Sequence, residues 1–211
     1  MFDGKWLMDE GKVNIAGLLI AAGLSSRMEE FKPLMLSNGN SFIIEIIRKM
    51  KLVCNTIVVV TGYKSERLKA EIEKFFPEDP KIYFAFNSDY EKGMFTSLKC
   101  GITNLPSSDW ILYHFVDQPG LPDEFYKQFI NQIDKGYNWI QPKYENKNGH
   151  PILLGKNIFQ FILNASPEEN LKTISHQSSV NKKFWQCNYP QVLQDIDTPK
   201  DYEKEFQNEH L

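Results

Sequence analysis

The chain lacks what marks a secreted scaffold, a membrane protein or a nucleic-acid binder. Its 211 residues include three cysteines, Cys54, Cys100 and Cys187, far apart and without CxxC spacing. That argues against a disulfide framework or a zinc ribbon and fits a reducing cytoplasm. No apolar run reaches the length of a membrane span, and the N-terminus carries acids early, without the layout of a secretory signal. Positive charge is not in excess: 24 Lys and Arg stand against 27 Asp and Glu, for a net charge of −3. No global field therefore recruits nucleic acid or an anionic membrane. Repeats, low-complexity tracts and linkers are missing. The four histidines, His114, His150, His176 and His210, show no metal-ligand spacing. Neither G-x-x-x-x-G-K-[ST] nor G-x-G-x-x-G occurs, so the chain carries no P-loop or dinucleotide fingerprint, and G-x-S-x-G is absent too. The expectation is a soluble, cytoplasmic protein whose anionic ligand is held by a few local cations.

What is present is a core. Hydrophobic residues make up 42% and aromatics 13%, enough for one domain over 1–211, with 1–13 read as an N-terminal extension. Apolar runs at Ile15–Ala22, Asn55–Thr61 and Trp110–Val116 read as buried strands. Lys81–Phe86 and Trp139–Tyr144 read as further strands, and Lys183–Asn188 as extended. Helical spacing covers Ser41–Leu52 with Ser41 as N-cap, Lys64–Phe76 with Leu68, Ile72, Phe75 and Phe76 inward, and Phe95–Leu105. It covers Asp123 to about Lys135 with Asp123 as cap, then Gly155–Leu163, Glu168–Gln177 and Pro199–Phe206. Strands alternating with helices predict an α/β three-layer sandwich with a mostly parallel sheet. Ligands of such sheets bind beyond the carboxyl ends of the strands, near the switch in strand order.

Gly17–Lys32 is the most informative stretch. The apolar run breaks at Gly23 into a Gly- and Ser-bearing loop, Gly23-Leu-Ser-Ser26, followed by Arg27 and Lys32. Small residues let backbone N–H groups approach an anion, and Arg and Lys neutralise it, one as a planar fork and the other as a mobile point charge. The plainer reading is a strand and turn with two solvated cations. Asp117 stands where an apolar strand ends, either as a turn former or as one of the few carboxylates that Mg²⁺ needs beside phosphate oxygens and water. Asp195-Ile-Asp-Thr-Pro199 offers a second carboxylate, or merely an N-cap from Asp197 or Thr198. Asp195 and Asp197 alternate along an extended chain, so one of them is expected to reach a metal. His150, in Gly149-His-Pro151, makes either a turn contact or a substrate contact. Gly93 and Ser97 border a polar loop that either holds a nucleotide or caps a helix.

Together these segments resemble the MobA-like nucleotidyltransferases of the molybdenum-cofactor branch, and within them the molybdenum cofactor cytidylyltransferases. The family's L-A-A-G-x-S-x-R-M-G-x-x-K reads here as Ile20-Ala-Ala-Gly-Leu-Ser-Ser-Arg-Met-Glu-Glu-Phe-Lys32. D-Q-P is Asp117–Pro119, G-H-P is Gly149–Pro151, D-I-D-T-P-x-D-Y is Asp195–Tyr202, and Asn87 leads the segment through Gly93-Met94 to Ser97-Leu98. The resemblance implies a nucleotide-diphospho-sugar-transferase-like (Rossmann-like) fold and Mg²⁺-dependent attack of an acceptor phosphate on the α-phosphate of a nucleoside triphosphate. It implies that Arg27 and Lys32 are catalytic and hold phosphates. It also assigns nucleotide binding to Ala21, Ala22, Gly23, Ser25, Ser26, Gly93 and Ser97, a substrate contact to His150, and the metal to Asp117 and Asp197. Ala21-Ala22-Gly23 matches the cytidylyl branch, where the guanylyl branch carries Ala-Gly-Gly, so CTP is expected over GTP. The acceptor would be a molybdopterin-type cofactor, with a molybdenum hydroxylase as a further partner. The rivals are another phosphorylated acceptor, or a non-catalytic cofactor carrier. Two departures stand out: Glu29 replaces the glycine after Arg-Met, and Pro167–Lys172 lacks the glycines of the family's Gly-Asp-x-Gly segment.

Overall fold

The computed structural model describes residues 13–28, 30–166 and 168–206, so most of the expected N-terminal extension, and Glu29, lie outside the described residues. Six consecutive apolar or small residues make β1 (Ile15–Ile20), buried throughout because it lies inside an eight-stranded sheet. It pairs in parallel with β4 (Thr56–Thr61) on one side and β6 (Trp110–Phe115) on the other. Beyond β4 lies β5 (Ile82–Phe86), also parallel. Beyond β6 come β9 (Ile152–Gly155), β7 (Trp139–Tyr144) and β10 (Lys182–Gln186), with the short β8 (Lys147–Asn148) on β7. β9 is antiparallel to both neighbours, and β8 to β7; the other six strands run one way. Strand order therefore reverses between β1 and β6, and a crevice opens where those two strands end.

Side chains alternate across the sheet and build two cores. On one face Leu19, Val59 and Leu112 meet α1 (Phe42–Met50), α2 (Ser65–Phe75) and α4 (Asp123–Ile130) through Ile43, Ile47, Leu68, Ile72, Phe125 and Phe129. On the other, Leu18, Val60 and Ile111 meet α3 (Met94–Thr103), α5 (Phe159–Asn164) and α6 (Leu171–Ser175) through Leu98, Ile102, Ile162 and Ile174. Each such side chain contributes about 1.5–3 kcal/mol on burial, and this is the three-layer sandwich the alternation predicts. A third cluster ties α7 (Pro199–Phe206) to the loop after β1: Met28, Met35, Phe42 and Ile196 pack with Tyr202 and Phe206. Met35 precedes a small hairpin, β2 (Leu36–Ser37) and β3 (Asn40–Ser41).

Several expectations need correction. Gly155 ends a strand instead of starting a helix, because Ile152–Leu154 are buried between β6 and β7. The helix expected at Glu168–Gln177 shrinks to α6, where Asn170 caps by accepting the Thr173 amide at 3.0 Å. α4 stops at Ile130 and begins after Pro122, with Asp123 in its first turn. Ser41 occupies the cap position of α1, yet its hydroxyl donates to Glu71 instead of capping. Phe75 points outward, at 43% exposure.

His114 is fully buried in β6 between two hydrogen bonds of 2.7 Å, from Nδ1 to the Phe115 carbonyl and from Nε2 to the Tyr126 hydroxyl. The carbonyl can only accept, so Nδ1 carries the proton and the tyrosine donates to Nε2. Burial pushes this imidazole down to about 3. The unfolded chain takes up that proton near pH 6.5 while the folded one refuses it, so stability falls as pH drops through that value. The His114 contribution between pH 7 and pH 5 is a loss of about 2 kcal/mol. Urea denaturation at both pH values should show it, and His114→Gln should flatten the slope.

Candidate active site

The crevice at the switch in strand order holds a cavity of about 300 Å³. Its wall is the loop after β1, the end of β6 and the start of α3. Among the residues singled out from sequence, Ala21, Gly23, Ser25, Ser26, Arg27, Lys32, Gly93, Ser97, Asp117 and Asp197 all line it. Two do not. Ala22 is buried with its side chain in the core, and its carbonyl accepts the Tyr63 amide at 3.2 Å. His150 is half-buried, its ring 4.8 Å from that of Phe115, which does line the cavity. Burial pushes His150 down to about 4, which suits a packed, neutral ring.

The loop is shaped by its serine. Ser25 sits in the left-handed region at φ 55, an uncommon conformation for a residue with a side chain. Its carbonyl accepts the Met28 amide at 2.9 Å and its hydroxyl accepts the Lys32 amide at 3.1 Å. The Lys32 backbone is thereby fixed. The opposite wall is organised by Asn87, buried, whose amide donates to Thr96 Oγ1 at 2.9 Å and Ser97 Oγ at 3.0 Å. Gly93, at φ 111, makes the bend that starts α3, and only glycine adopts it without strain. The positive end of that helix faces the cavity, where an anion is favoured.

The charges converge from three parts of the chain. Lys32 Nζ lies 2.7 Å from Asp197 Oδ1 and 3.7 Å from Asp117 Oδ2, and Arg27 Nη1 lies 2.9 Å from Asp197 Oδ2. Desolvation pushes the Asp117 carboxyl up to about 6; Lys32 opposes the rise, and Asp195 and Asp197 add to it. Asp117 Oδ1 is buried without a hydrogen-bond donor. Such an oxygen is costly unless a cation joins it, so the pair Asp117 and Asp197 fits a hard divalent cation. Among the described residues, no group of three or more His, Cys, Asp or Glu could hold a metal by itself. The remaining ligands would then be phosphate oxygens and water.

The two acids of the C-terminal segment have separate partners. Asp195 Oδ1 accepts from Gln118 Nε2 at 2.8 Å, whereas Asp197 faces the two cations. Thr198 and Asp201 cap α7 between them: Asp201 Oδ2 accepts the Thr198 amide at 2.8 Å and the Thr198 hydroxyl at 2.7 Å. The Asp197 side chain is thus spared capping. Three supporting residues escaped the sequence reading. Gln118, buried, holds Asp195; Lys49, buried in α1, donates to the Pro119 carbonyl at 2.7 Å; and Glu45 pairs with Lys49 at 3.2 Å. Opposite charges four residues apart in α1, at Glu45 and Lys49, were the available signal.

The family model for the MobA-like NTP transferase domain matches residues 17–182. The chain belongs to the MobA-like NTP transferase family. As a member of this family it is a nucleotidyltransferase. This MobA-like transferase is 25% identical to the molybdenum cofactor cytidylyltransferase of Escherichia coli K12, over 88% of the chain and 92% of the relative. It is 29% identical to a probable molybdenum cofactor guanylyltransferase of Bacillus cytotoxicus, over 81% and 83%. Its fold resembles a nucleotidyl transferase from Methanothermobacter (TM-score 0.77, 18% identity, 92% of this chain and 97% of that one). It also resembles a CMP-2-keto-3-deoxy-manno-octonic acid synthetase solved with CTP (TM-score 0.71, 14% identity, 91% and 96%). Among the described residues, no helix of this MobA-like transferase is long and apolar enough to cross a membrane.

Asn87→Ala should remove two hydrogen bonds that shape the α3 wall, at a cost of about 1–3 kcal/mol. Denaturant unfolding should register that loss, and steady-state kinetics should show KM for the nucleotide rising more than kcat falls. An unchanged KM would refute a role for Asn87 in shaping the site.

Proposed function

We propose that the chain transfers CMP from CTP to the phosphate of a molybdopterin-type cofactor, releasing pyrophosphate, with Mg²⁺ as its metal. The observation that carries this reading is the meeting of Arg27, Lys32, Asp117 and Asp197 in one cavity, opposite the N-terminus of α3. In the reaction an acceptor phosphate oxygen bonds to the α-phosphorus. The bond from that phosphorus to the oxygen bridging toward the β-phosphate breaks, and pyrophosphate leaves with the electron pair. Negative charge grows on the departing oxygens. Arg27 and Lys32 stabilise it, Arg27 from the rim and Lys32 from the buried side. Asp117 and Asp197 would hold Mg²⁺, which supplies Lewis-acid polarisation of the phosphate oxygens. The Ser25-shaped loop and the α3 N-terminus align the triphosphate, and orientation of this kind is a large part of phosphoryl-transfer catalysis.

The cytidylyl assignment is supported by the Escherichia coli relative and by Ala21-Ala22-Gly23. The Ala22 side chain is turned into the core, so its influence would run through the course of the loop rather than through contact. GTP is the second reading, favoured by the higher identity to the Bacillus cytotoxicus relative. A dinucleotide form of the cofactor would suit delivery to a molybdenum hydroxylase.

Pyrophosphate release should require cofactor, Mg²⁺ and CTP, and should be much slower with GTP; the reverse preference would move the assignment to guanylyl transfer. Lys32→Ala and Asp117→Ala should each lower kcat by about a hundredfold or more. Tight cofactor binding without any pyrophosphate would make the protein a carrier instead.

A further inference from the structure

Lys32 lies where a metal would be expected. Its ammonium bridges Asp197 Oδ1 and Asp117 Oδ2, and Arg27 holds the other Asp197 oxygen. Both oxygens of Asp197 are thereby engaged, leaving Asp117 Oδ1 as the unpartnered oxygen of the pair. The Lys32 side chain is only 10% exposed, so its attraction to the two acids is weakly screened. The charge balance has the same consequence. Arg27 and Lys32 face Asp117, Asp195 and Asp197, one negative charge in excess, and a bare divalent ion would reverse that sign.

We propose that Lys32 and a divalent cation compete for Asp117 and Asp197, and that a triphosphate decides the competition by drawing the lysine onto its own oxygens. This rests on the nucleotidyl-transfer reading and adds an order to it: metal binding follows, or accompanies, the nucleotide. The stem of Lys32 permits the exchange without backbone movement, because Ser25 Oγ fixes the Lys32 amide while the four-carbon chain is free to turn. The same loop lines the cavity, so the triphosphate lies within the lysine's sweep. Arg27, at 69% side-chain exposure, can follow at little cost. The device has a chemical use. A site that accepts a divalent ion only with its polyphosphate is not loaded by free metal, and it delivers the lysine to the phosphates at the moment the carboxylates are claimed.

The test is Mn²⁺ binding to the full chain without nucleotide, followed by electron paramagnetic resonance and calorimetry. Lys32→Gln should bind Mn²⁺ on the order of tenfold to a hundredfold tighter than wild type, since one close like charge is removed. Adding Asp197→Asn to that variant should cancel the gain. Circular dichroism checks the fold. Should Lys32→Gln not fold, Arg27→Gln, altered at an exposed side chain, carries the test with a gain of severalfold. Equal Mn²⁺ affinities in wild type and variants overturn the competition, whatever pyrophosphate release shows. Tighter Mn²⁺ binding in the variants, with no pyrophosphate from CTP or GTP in wild type supplied with cofactor and Mg²⁺, keeps the competition and removes the proposed transfer to that cofactor beneath it.

Discussion

One main-chain hydrogen bond holds the site together: the Ile196 amide donates to the Asp117 carbonyl at 2.9 Å. It joins the end of a central strand to a segment near the other end of the sequence. Gln118 extends the clasp through Asp195 and a weaker 3.4 Å contact to the Val192 carbonyl. Without that clasp Asp197 would not meet Lys32 and Arg27, and Asp117 would stand alone at the tip of β6. Buried polar atoms are stable only when partnered, so the clasp and the charge cluster depend on one another.

A second layer of charge lies beneath. Glu45 and Lys49, both buried in α1, form an internal pair whose ammonium is shared with the Pro119 carbonyl. Desolvation pulls the Lys49 ammonium below its ordinary value, and its two oxygen partners are what keep a lysine tolerable there. Such a pair adds little to stability by itself. Its effect is geometric, because it anchors the turn that follows Asp117. The site therefore has Arg27 at a solvent-touched rim, Lys32 buried beneath it, and the mutually satisfied pair of Glu45 and Lys49 as a floor.

The framework was legible from sequence where physics is local. A short apolar run rich in β-branched and aromatic residues and ended by turn residues fits a buried strand, and Ile15–Ile20, Thr56–Thr61 and Trp110–Phe115 are strands. The end of such a strand in a doubly covered sheet is where a ligand goes, so the Gly23–Lys32 loop and Asp117 could be placed before any coordinates. What could not be read was whatever depends on distant partners. β9 is four residues long and shows no alternation, since both of its faces are covered. The turn at His150 gave no sign that its ring would pack 4.8 Å from that of Phe115. Gln118 and Asn87 look like ordinary loop residues until the atoms they hold are known. Asp197 looked like a cap, and only the Thr198–Asp201 pair explains why it is free for other work.

The position of Asp197 in the chain has a consequence for synthesis. The family match ends at residue 182, yet the carboxylate that meets both cations comes fifteen residues later. A chain stopped between residues 182 and 196 would keep the loop, Lys32 and Asp117 and lose Asp197. The cleft becomes chemically complete only when the last helix docks, so a truncated translation product would lack the completed site.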